Sequence, residues 1–539
     1  MQEHYDALPR TSANFVPLTP LSFLARAEEV FGDREATVYD GTRRTWSEVG
    51  ARCRAVARGL QDLGIGTGDT VSVLVPNIPA MFELHYAVPM AGAVLNTINV
   101  RLEAETVAYI LEHSDCKHVI CDTAFAPLLR SAFELMGRDI PVLDLIDPAS
   151  GAGPGFGGPD YETLASGDAG REPISMPEDE WAAITLSYTS GTSGRPKGVV
   201  YHHRGAYLMS LGTVAGWQVP QQPVYLSVVP MFHCNGWNHP WAMAIVGARL
   251  VFTRDPMPEK IFAAIAAEGV THFGAAPIIL SSLTQSDAAP NAAFDPPVRV
   301  FTAGAPPPPA VLARSKALGF DVMQVYGLTE TYGHVSQCLW RDEWDDLTPE
   351  EQADMQAMQG VGFPMVEEFS VLDRASGDPV PRDGTTQGEI AIRGNVVMKG
   401  YYKNAEATQA AFEGGRFWSG DAAIRHANGH ARITDRLKDV IISGGENISS
   451  VEVENVLHHH EAVQAAAVVA RPHEKWGESP CAFIELLPGS EVDEDEIIAF
   501  CRERLAGFKT PKSVVFGPLP KTATGKIQKF ILRQKAAEL

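Results

Sequence analysis

The chain has little of what marks several large protein classes. Of its 539 residues only seven are cysteines: Cys53, Cys116, Cys121, Cys234, Cys338, Cys481 and Cys501. A sparse, odd set argues against a disulfide scaffold and for reduced thiols. Positive charge is also short. Lys and Arg total 44 against 66 Asp and Glu, a formal net charge of −22. That balance disfavours nucleic acid as the main partner, since such a partner needs a basic footprint. It leaves room for a local basic pocket around an anionic ligand. No stretch reaches the roughly 18 apolar residues of a membrane helix. The start, MQEHYDALPRTSANF, lacks the apolar core of a signal peptide behind a basic start. The expectation is a cytoplasmic protein with no membrane span. No internal repeat is visible. Apolar residues at 45% and charged residues at 20% exclude disorder over most of the length.

What is present reads as layered α/β structure. Short β-rich runs (Thr70–Pro76, Val94–Asn99, His118–Cys121, Val142–Ile146, Thr271–Ala275) alternate with helical stretches such as the apolar Ala80–Ala91. This alternation predicts substantial parallel sheet. Cys116 and Cys121, with His113 and His118 nearby, fit no usual zinc spacing and read as buried strand thiols. Gly151–Asp160 reads as a surface loop, and the Pro run Ala305–Ala310 as a lead-in to a helix. Asp342–Met358 reads as an exposed helical insertion. From Phe369 the texture changes to short strands (FSVLD, GEIAIRG, HARITDR). A second break at Asp435–Asp439 divides a large N-terminal domain, residues 1–436, from a small α+β C-terminal domain, residues 437–539. The last 31 residues hold Lys509, Lys512, Lys521, Lys526, Lys529, Arg533 and Lys535, an edge able to meet a polyanion or simply a solvated face.

Five segments carry chemistry. Thr189–Gly198, TSGTSGRPKG, follows a strand-like run. Its small hydroxyl and glycine residues let backbone N–H groups approach phosphate oxygens, and Lys197 adds a cation. It is not a Walker loop, because Pro196 and Gly198 stand where Gly and the metal-binding hydroxyl are needed. Tyr326–Thr331, YGLTET, offers an aromatic face, a hydroxyl and the carboxylate of Glu330, suited to Mg²⁺. Phe417–Asp421, FWSGD, places a carboxylate after a tight turn, suited to a ribose diol or to capping the turn itself. Asp435–Asn447, DRLKDVIISGGEN, gives a charged cluster, a short strand and a Gly pair. Pro520–Lys529, PKTATGKIQK, puts Lys526 after a Gly turn.

Together, in this order and spacing, the five segments resemble the AMP-forming adenylating enzymes: acyl-CoA synthetases, nonribosomal adenylation domains and firefly-type luciferases. The resemblance runs from about Thr45 to Lys529. It implies a large α/β domain with a small C-terminal domain on a hinge, and ATP, Mg²⁺ and CoA as cofactors. Thr189, Ser190, Gly191, Thr192 and Lys197 would form the phosphate loop, with Thr192 and Glu330 toward the metal. Gly304, Ala305 and Pro306 would border the adenine, Tyr326 would lie along it and Thr329 would bond the α-phosphate. Asp421 and Arg436 would bind the ribose, and Lys438 aligns with the hinge. Lys526 would bridge the substrate carboxylate and the α-phosphate. Rotation of the C-terminal domain would then remove Lys526 and bring Gly444, Gly445 and Glu446 to the CoA side.

Met231–Trp237, MFHCNGW, occupies the position that shapes the acyl and pantetheine pocket in this family. His233 would lie near the reacting carboxylate, and Trp237 would shorten the pocket. Gly304, Gly327, Tyr332 and His334 would line the same cavity. MFHCNGW and YGLTETYGH resemble the methylmercaptopropionate–CoA ligase branch, with medium-chain acyl-CoA ligases as neighbours. A thioether is nearly isosteric with a methylene, so such a pocket would also accept short alkanoates. The expected activity is ATP-dependent ligation of a short or medium acid to CoA, releasing AMP and pyrophosphate. The competing readings are carrier-protein loading, luciferase-like oxygenation and non-enzymatic nucleotide binding. A carrier-like segment is not expected from this sequence, although loading of a carrier in trans stays open, and a homodimer is a guess from the family.

Overall fold

The computed structural model describes residues 5–151, 153–170, 176–189, 195–304, 307–443, 446–473, 475–521 and 527–539, with only the backbone of Asn447. Two large sheets with parallel centres form the body. One has seven strands, in the order 400–401, 198–202, 183–188, 94–97, 70–74, 116–122, 142–145. Its central strands, 183–188 to 142–145, run parallel. The other has nine strands, whose parallel centre runs 35–39, 249–252, 224–227, 272–275, 298–302, 320–326. Adjacent parallel strands need crossovers, and the intervening helices provide them.

Helix Pro79–Met90 shows why the two sheets form one body. All twelve of its residues are buried, so it has no solvent face. Its Glu83 survives there because Arg52 pairs with it at 2.7 Å and the Tyr161 hydroxyl donates to it at 2.7 Å. The expected strands at 70–76, 94–99, 118–121, 142–146 and 271–275 are all present, one or two residues different at their ends. Cys116 and Cys121 are buried thiols of strand Cys116–Asp122.

A four-stranded antiparallel sheet follows, 368–372, 387–393, 417–425, 431–436. After Arg436 a separate five-stranded sheet, built on the pair Val463–His473 and Gly477–Leu486, carries its own apolar clusters. Among the described residues no helix is long and apolar enough to cross a membrane.

Three expectations need correction. Asp342–Met358 is helical in two short pieces but is not a free insertion. Trp344 and Met358 are buried with Cys338, and Arg432 pairs with Asp354 at 2.7 Å. The polar texture of the segment hid two large apolar anchors. The basic C-terminal edge is largely spent: Lys509 pairs with Glu452, Lys521 with Glu485, Lys529 with Glu454 and Arg533 with Asp439. FWSGD is not a turn. It lies in strand Phe417–Arg425, where Glu389 faces Ala422 and Ala391 faces Trp418. Ser419, Gly420 and Asp421 therefore oppose Ile390 alone, a bulge that Gly420 accommodates at φ +74°.

Burial holds many histidines neutral. It lowers the pKa to about 4 in His85, His202, His203 and His272 and to about 3 in His334, and holds His239 well below its ordinary value. Unfolding frees each to bind a proton near pH 6.5. The stability they contribute is therefore complete above about pH 6.5 and falls as pH drops toward 4, by up to about 1.4 kcal/mol per pH unit per histidine. Glu389, Asp435 and Glu454, whose pKa values burial raises, act in the opposite direction. Urea unfolding at pH steps from 7.5 to 4.5 is expected to show a monotonic loss. A flat profile would contradict neutral burial.

Candidate active site

The segments 189–198, 303–306 and 326–331 follow strands of the two large sheets at their carboxyl ends, where α/β proteins place ligands, and Asp421 and Arg436 come from the antiparallel four-stranded sheet. Strand Ala183–Tyr188 runs into Thr189, whose N–H donates to the Lys197 carbonyl at 3.0 Å, closing the neck of the loop. Ser190, Gly191 and Thr192 lie outside the described residues, as do Ala305, Pro306, Gly444, Gly445 and Lys526. Strand Val298–Thr302 leads to Gly304, exposed at φ +97°. Strand Phe320–Tyr326 leads to a tight turn. At Gly327 a Cβ would lie 1.5 Å from the Gly333 carbonyl oxygen, so closure of this turn explains the glycine. The Thr331 hydroxyl fixes the turn by accepting from the Leu328 N–H at 3.0 Å. Thr329 and Glu330 remain half-buried at its tip.

Tyr326, Asp421 and Arg436 meet. The Tyr326 hydroxyl donates to Asp421 Oδ2 at 2.6 Å, and Arg436 Nε lies 2.6 Å from Asp421 Oδ1. Asp421 is only 2% exposed, and both of its oxygens are oriented while each keeps a lone pair for a diol. Burial works against the charge on Arg436, but Asp421 and its acidic neighbours keep its pKa above the ordinary value. Lys438 is exposed just beyond, with its pKa lowered chiefly by partial desolvation. Glu446 is exposed on strand Glu446–Ile448.

Two tyrosines that no motif announced frame Glu330 and Thr329. The Tyr401 hydroxyl donates to Glu330 Oε1 at 2.8 Å, and Lys197 Nζ lies 4.7 Å over the Tyr401 ring. The Tyr201 hydroxyl donates to the Thr329 carbonyl at 2.5 Å. Sequence reasoning missed Tyr401 because its partners are distant in the chain and its neighbours GYYKN look like an ordinary turn. Among the described residues no group of three or more His, Cys, Asp or Glu could hold a metal alone. One carboxylate beside a phosphate loop nevertheless fits Mg²⁺, which keeps waters and binds through few carboxylates plus phosphate oxygens.

The MFHCNGW segment adopts an uncommon backbone. Five consecutive residues have left-handed φ: Cys234 44°, Asn235 45°, Gly236 61°, Trp237 55° and Asn238 60°. Asn and Gly tolerate this region, whereas Cys and Trp pay roughly 1–2 kcal/mol each. Hydrogen bonds of about 1 kcal/mol each offset that strain. Asn235 Oδ1 accepts from the Thr185 hydroxyl at 2.8 Å and from the Ser187 hydroxyl at 3.1 Å, and Asn238 Nδ2 donates to the Tyr332 carbonyl. Apolar periodicity has no signature for such a turn. It places His233 half-buried beside Cys234, whose Sγ is 3.3 Å from Thr329 Oγ1. Trp237 is 6% exposed, set against Gly333 and edge-on to His239 at 6.0 Å.

Behind Trp237 the rings of Trp217, His239, Phe301, His334 and Phe363 fill the interior. His334 belongs to that wall, its Nε2 2.9 Å from the Thr213 hydroxyl oxygen. Tyr332 departs from the expected cavity lining. It is fully buried, stacks on Tyr201 at 4.0 Å and donates its hydroxyl to the His202 carbonyl at 2.9 Å. Its φ of +60° turns the ring back into the core.

A family model for the AMP-binding enzyme matches residues 24–402, and one for the AMP-binding enzyme C-terminal domain matches 452–526. The chain is 48% identical to a peroxisomal acetate/butyrate–CoA ligase of Arabidopsis thaliana, over 99% of this chain and 97% of the relative. It is 46% identical to a 2-methylpropanoate–CoA ligase of Humulus lupulus, over 98% and 97%. It is 43% identical to a peroxisomal trans-cinnamate:CoA ligase of Petunia hybrida, over 98% and 96%. ATP-bound MatB from Rhodopseudomonas palustris superposes with a TM-score of 0.83 at 25% identity, covering 96% of this chain and 98% of that one. The o-succinylbenzoate CoA synthetase of Bacillus subtilis, bound to its acyl adenylate, gives 0.81 at 26%, covering 95% and 97%.

Tyr326→Phe removes one of the two groups that aim the Asp421 carboxylate. The expected result is ATP binding weakened about tenfold, the worth of one hydrogen bond to a charged group, with the melting temperature lowered only slightly. Titration calorimetry with ATP checks this, and unaltered affinity would separate Asp421 from the nucleotide.

Proposed function

The chain belongs to the AMP-binding enzyme family and is an AMP-forming acyl-CoA ligase, and from that premise we propose that its acid is short, with 3-(methylthio)propanoate as the best single candidate. The observation that supports a short acid is the ring wall. Trp237 is pinned by a left-handed turn, and the space behind it is filled by Trp217, His239, Phe301, His334 and Phe363. A long tail would have no path through that core without displacing close-packed rings. Relatives that act on acetate or butyrate and on 2-methylpropanoate agree with this. The relative that acts on trans-cinnamate sets the outer limit to test.

The proposed chemistry joins two anions. The acid carboxylate attacks the α-phosphorus of ATP, pyrophosphate leaves, and the thiol of CoA then displaces AMP from the acyl adenylate. The nucleophilic carboxylate is already ionised at neutral pH, so the protein's task is positioning and charge compensation. Lys197 and the loop 189–198 face the β- and γ-phosphates, Thr329 bonds the α-phosphate, and Tyr326, Gly304, Asp421 and Arg436 hold the nucleoside. Lys526 bridges carboxylate and α-phosphate. Glu330, oriented by Tyr401, would hold Mg²⁺ together with phosphate oxygens and Thr192, and the metal would supply charge neutralisation of the leaving pyrophosphate. His233 lies on the acyl side. Division at residues 436/437, with Lys438 as hinge and Gly444, Gly445 and Glu446 turning to the CoA side, belongs to the same reading. So do cytoplasmic residence and a homodimer.

AMP release is to be measured across acetate, propionate, butyrate, hexanoate, palmitate, 3-(methylthio)propanoate and cinnamate, with and without CoA. CoA-dependent turnover peaking among the short acids is expected, with the thioether acid leading. A peak at palmitate would overturn the short-acid reading. Pyrophosphate exchange without CoA-dependent turnover would indicate carrier loading instead. Lys526→Ala is expected to slow adenylation by at least about a hundredfold, as loss of a key electrostatic group does, while sparing thioester formation from preformed acyl adenylate. Equal loss in both steps would remove Lys526 from its assigned role. Trp237→Ala is expected to extend activity toward hexanoate.

A further inference from the structure

We infer that Asn235 is a positioning residue: its buried amide locks the left-handed turn 234–238 to the strand that feeds the phosphate loop, fixing His233 and Trp237 against the reacting carboxylate. The inference rests on the short-acid ligase reading.

Three observations carry it. First, the turn does not hold by local preference alone. Cys234 and Trp237, the residues flanking the Asn-Gly pair, are poorly suited to positive φ, so something outside the turn must determine it. Second, the Asn235 side chain is fully buried and bonded through both its oxygen and its nitrogen. Its Oδ1 accepts from both Thr185 and Ser187, and its Nδ2 lies 3.5 Å from Thr97 Oγ1. Thr185 and Ser187 are alternate residues of strand Ala183–Tyr188, so their side chains leave the same face. Thr97 pairs directly with Ser187 in the neighbouring strand. Three hydroxyls from two strands thus converge on one amide. Third, both ends of the turn reach reacting elements. Ser187 lies two residues before Thr189. On the opposite side Cys234 Sγ touches Thr329 Oγ1, and Asn238 holds the Tyr332 carbonyl. The amide of Asn235 thus ties the strand that feeds the phosphate loop to the acyl-side turn, and Cys234 and Asn238 of that turn carry the registration on to the Thr329 turn.

An amide is the side chain this site requires. It accepts two hydroxyl donors and donates to a third oxygen. A carboxylate would bury an uncompensated charge, and an aliphatic group would leave the hydroxyls unpaired.

The test uses two variants that attack the anchor from opposite sides. Asn235→Gly keeps a residue that adopts positive φ freely but removes the amide. The double variant Thr185→Val with Ser187→Ala keeps Asn235 and removes its donors. Acid and ATP kinetics are measured with CoA on the full chain, for acetate to hexanoate and 3-(methylthio)propanoate. In both variants kcat/KM for the preferred acid is expected to fall about tenfold to a hundredfold, as for a reacting group misplaced by about 1 Å. The chain-length profile should flatten, and KM for ATP should stay within about threefold. A chain-length profile identical to that of the unmodified protein would overturn the inference. So would loss of folding in both variants, since the amide would then be a stability element only. If the unmodified protein shows no acid- and CoA-dependent AMP release, the ligase reading itself fails; if it turns over and only the variants are unaltered, the failure is confined to Asn235.

Discussion

The site depends on one buried carboxylate. Asp421 is almost wholly removed from water, and a charge in that position persists only when it is paired and hydrogen-bonded. Its two partners come from different sheets: Tyr326 from the end of a parallel strand in the nine-stranded sheet, and Arg436 from the last strand of the four-stranded one. The bulge at Gly420 sets the position of the carboxylate on its strand, and the Ser419 hydroxyl stitches the bulge by donating to the Ile390 carbonyl at 2.8 Å. The ion pair thus joins two strands of one sheet, the Tyr326 hydrogen bond ties that sheet to the nine-stranded one, and the same carboxylate presents oxygens to a ligand. Removing Arg436 would leave a buried charge unpaired, at a cost of several kcal/mol, whereas removing the Tyr326 hydroxyl loses one hydrogen bond and leaves the ion pair in place.

The same strand carries the next link. Successive side chains of a strand point to opposite faces, so Arg436 turns to Asp421 while Asp435 turns to the C-terminal segment. Asp435 Oδ2 accepts the Ser450 N–H at 2.5 Å and its Oδ1 accepts the Ser450 hydroxyl at 3.0 Å. The Ser449 hydroxyl donates to the Thr434 carbonyl at 2.5 Å, and Arg533 pairs with Asp439. Lys529 donates to Ser450 at 2.6 Å and pairs with Glu454 at 2.7 Å. The contacts of Thr434 and Asp435 with Ser449 and Ser450 across the junction are polar, whereas the Arg533 and Lys529 pairs and the apolar clusters of the C-terminal segment are internal to it. Polar contacts exchange for water at little net cost, unlike an apolar seam, and interfaces of that type permit relative domain motion. The Tyr326–Asp421–Arg436 cluster and the junction are thus built back to back on Asp435 and Arg436.

Much of this was legible before any coordinates. β-rich strands such as TVSVL and a largely apolar helix such as Pro79–Met90 declare themselves through composition and length. Motif spacing led to Tyr326, Asp421 and Arg436, which do converge. The misses share a cause: their meaning lies in pairing across the chain. Tyr401 acquires significance only opposite Glu330 and Lys197. The basic edge looked available because Glu452, Glu454, Glu485 and Asp439 are remote in sequence from the lysines and arginine they pair with. FWSGD reads as a turn because Gly-Asp favours turns, and only the register against 387–393 reveals a bulge. The left-handed turn at 234–238 is invisible to periodicity, although Asn-Gly followed by Trp-Asn contains the residues that permit it.

A protein with a charge of −22 must still gather an ATP and a carboxylate in one place. Lys197, Tyr401 and Glu330 show how local charge is kept available for that purpose. Left to themselves, a lysine and a glutamate at one site would close into an ion pair, and each would neutralise the other. Here the Tyr401 ring stands between them: its face takes the Lys197 ammonium at 4.7 Å, and its hydroxyl satisfies one Glu330 oxygen at 2.8 Å. A cation–π contact at an exposed site is worth only about 0.5–1 kcal/mol, so a phosphate can outcompete it without a large penalty. The Glu330 carboxylate likewise keeps an oxygen beyond the one Tyr401 engages. The arrangement keeps a cation and an anion on one tyrosine without cancelling them, which suits the proposed roles of Lys197 toward phosphate oxygens and of Glu330 toward a divalent metal.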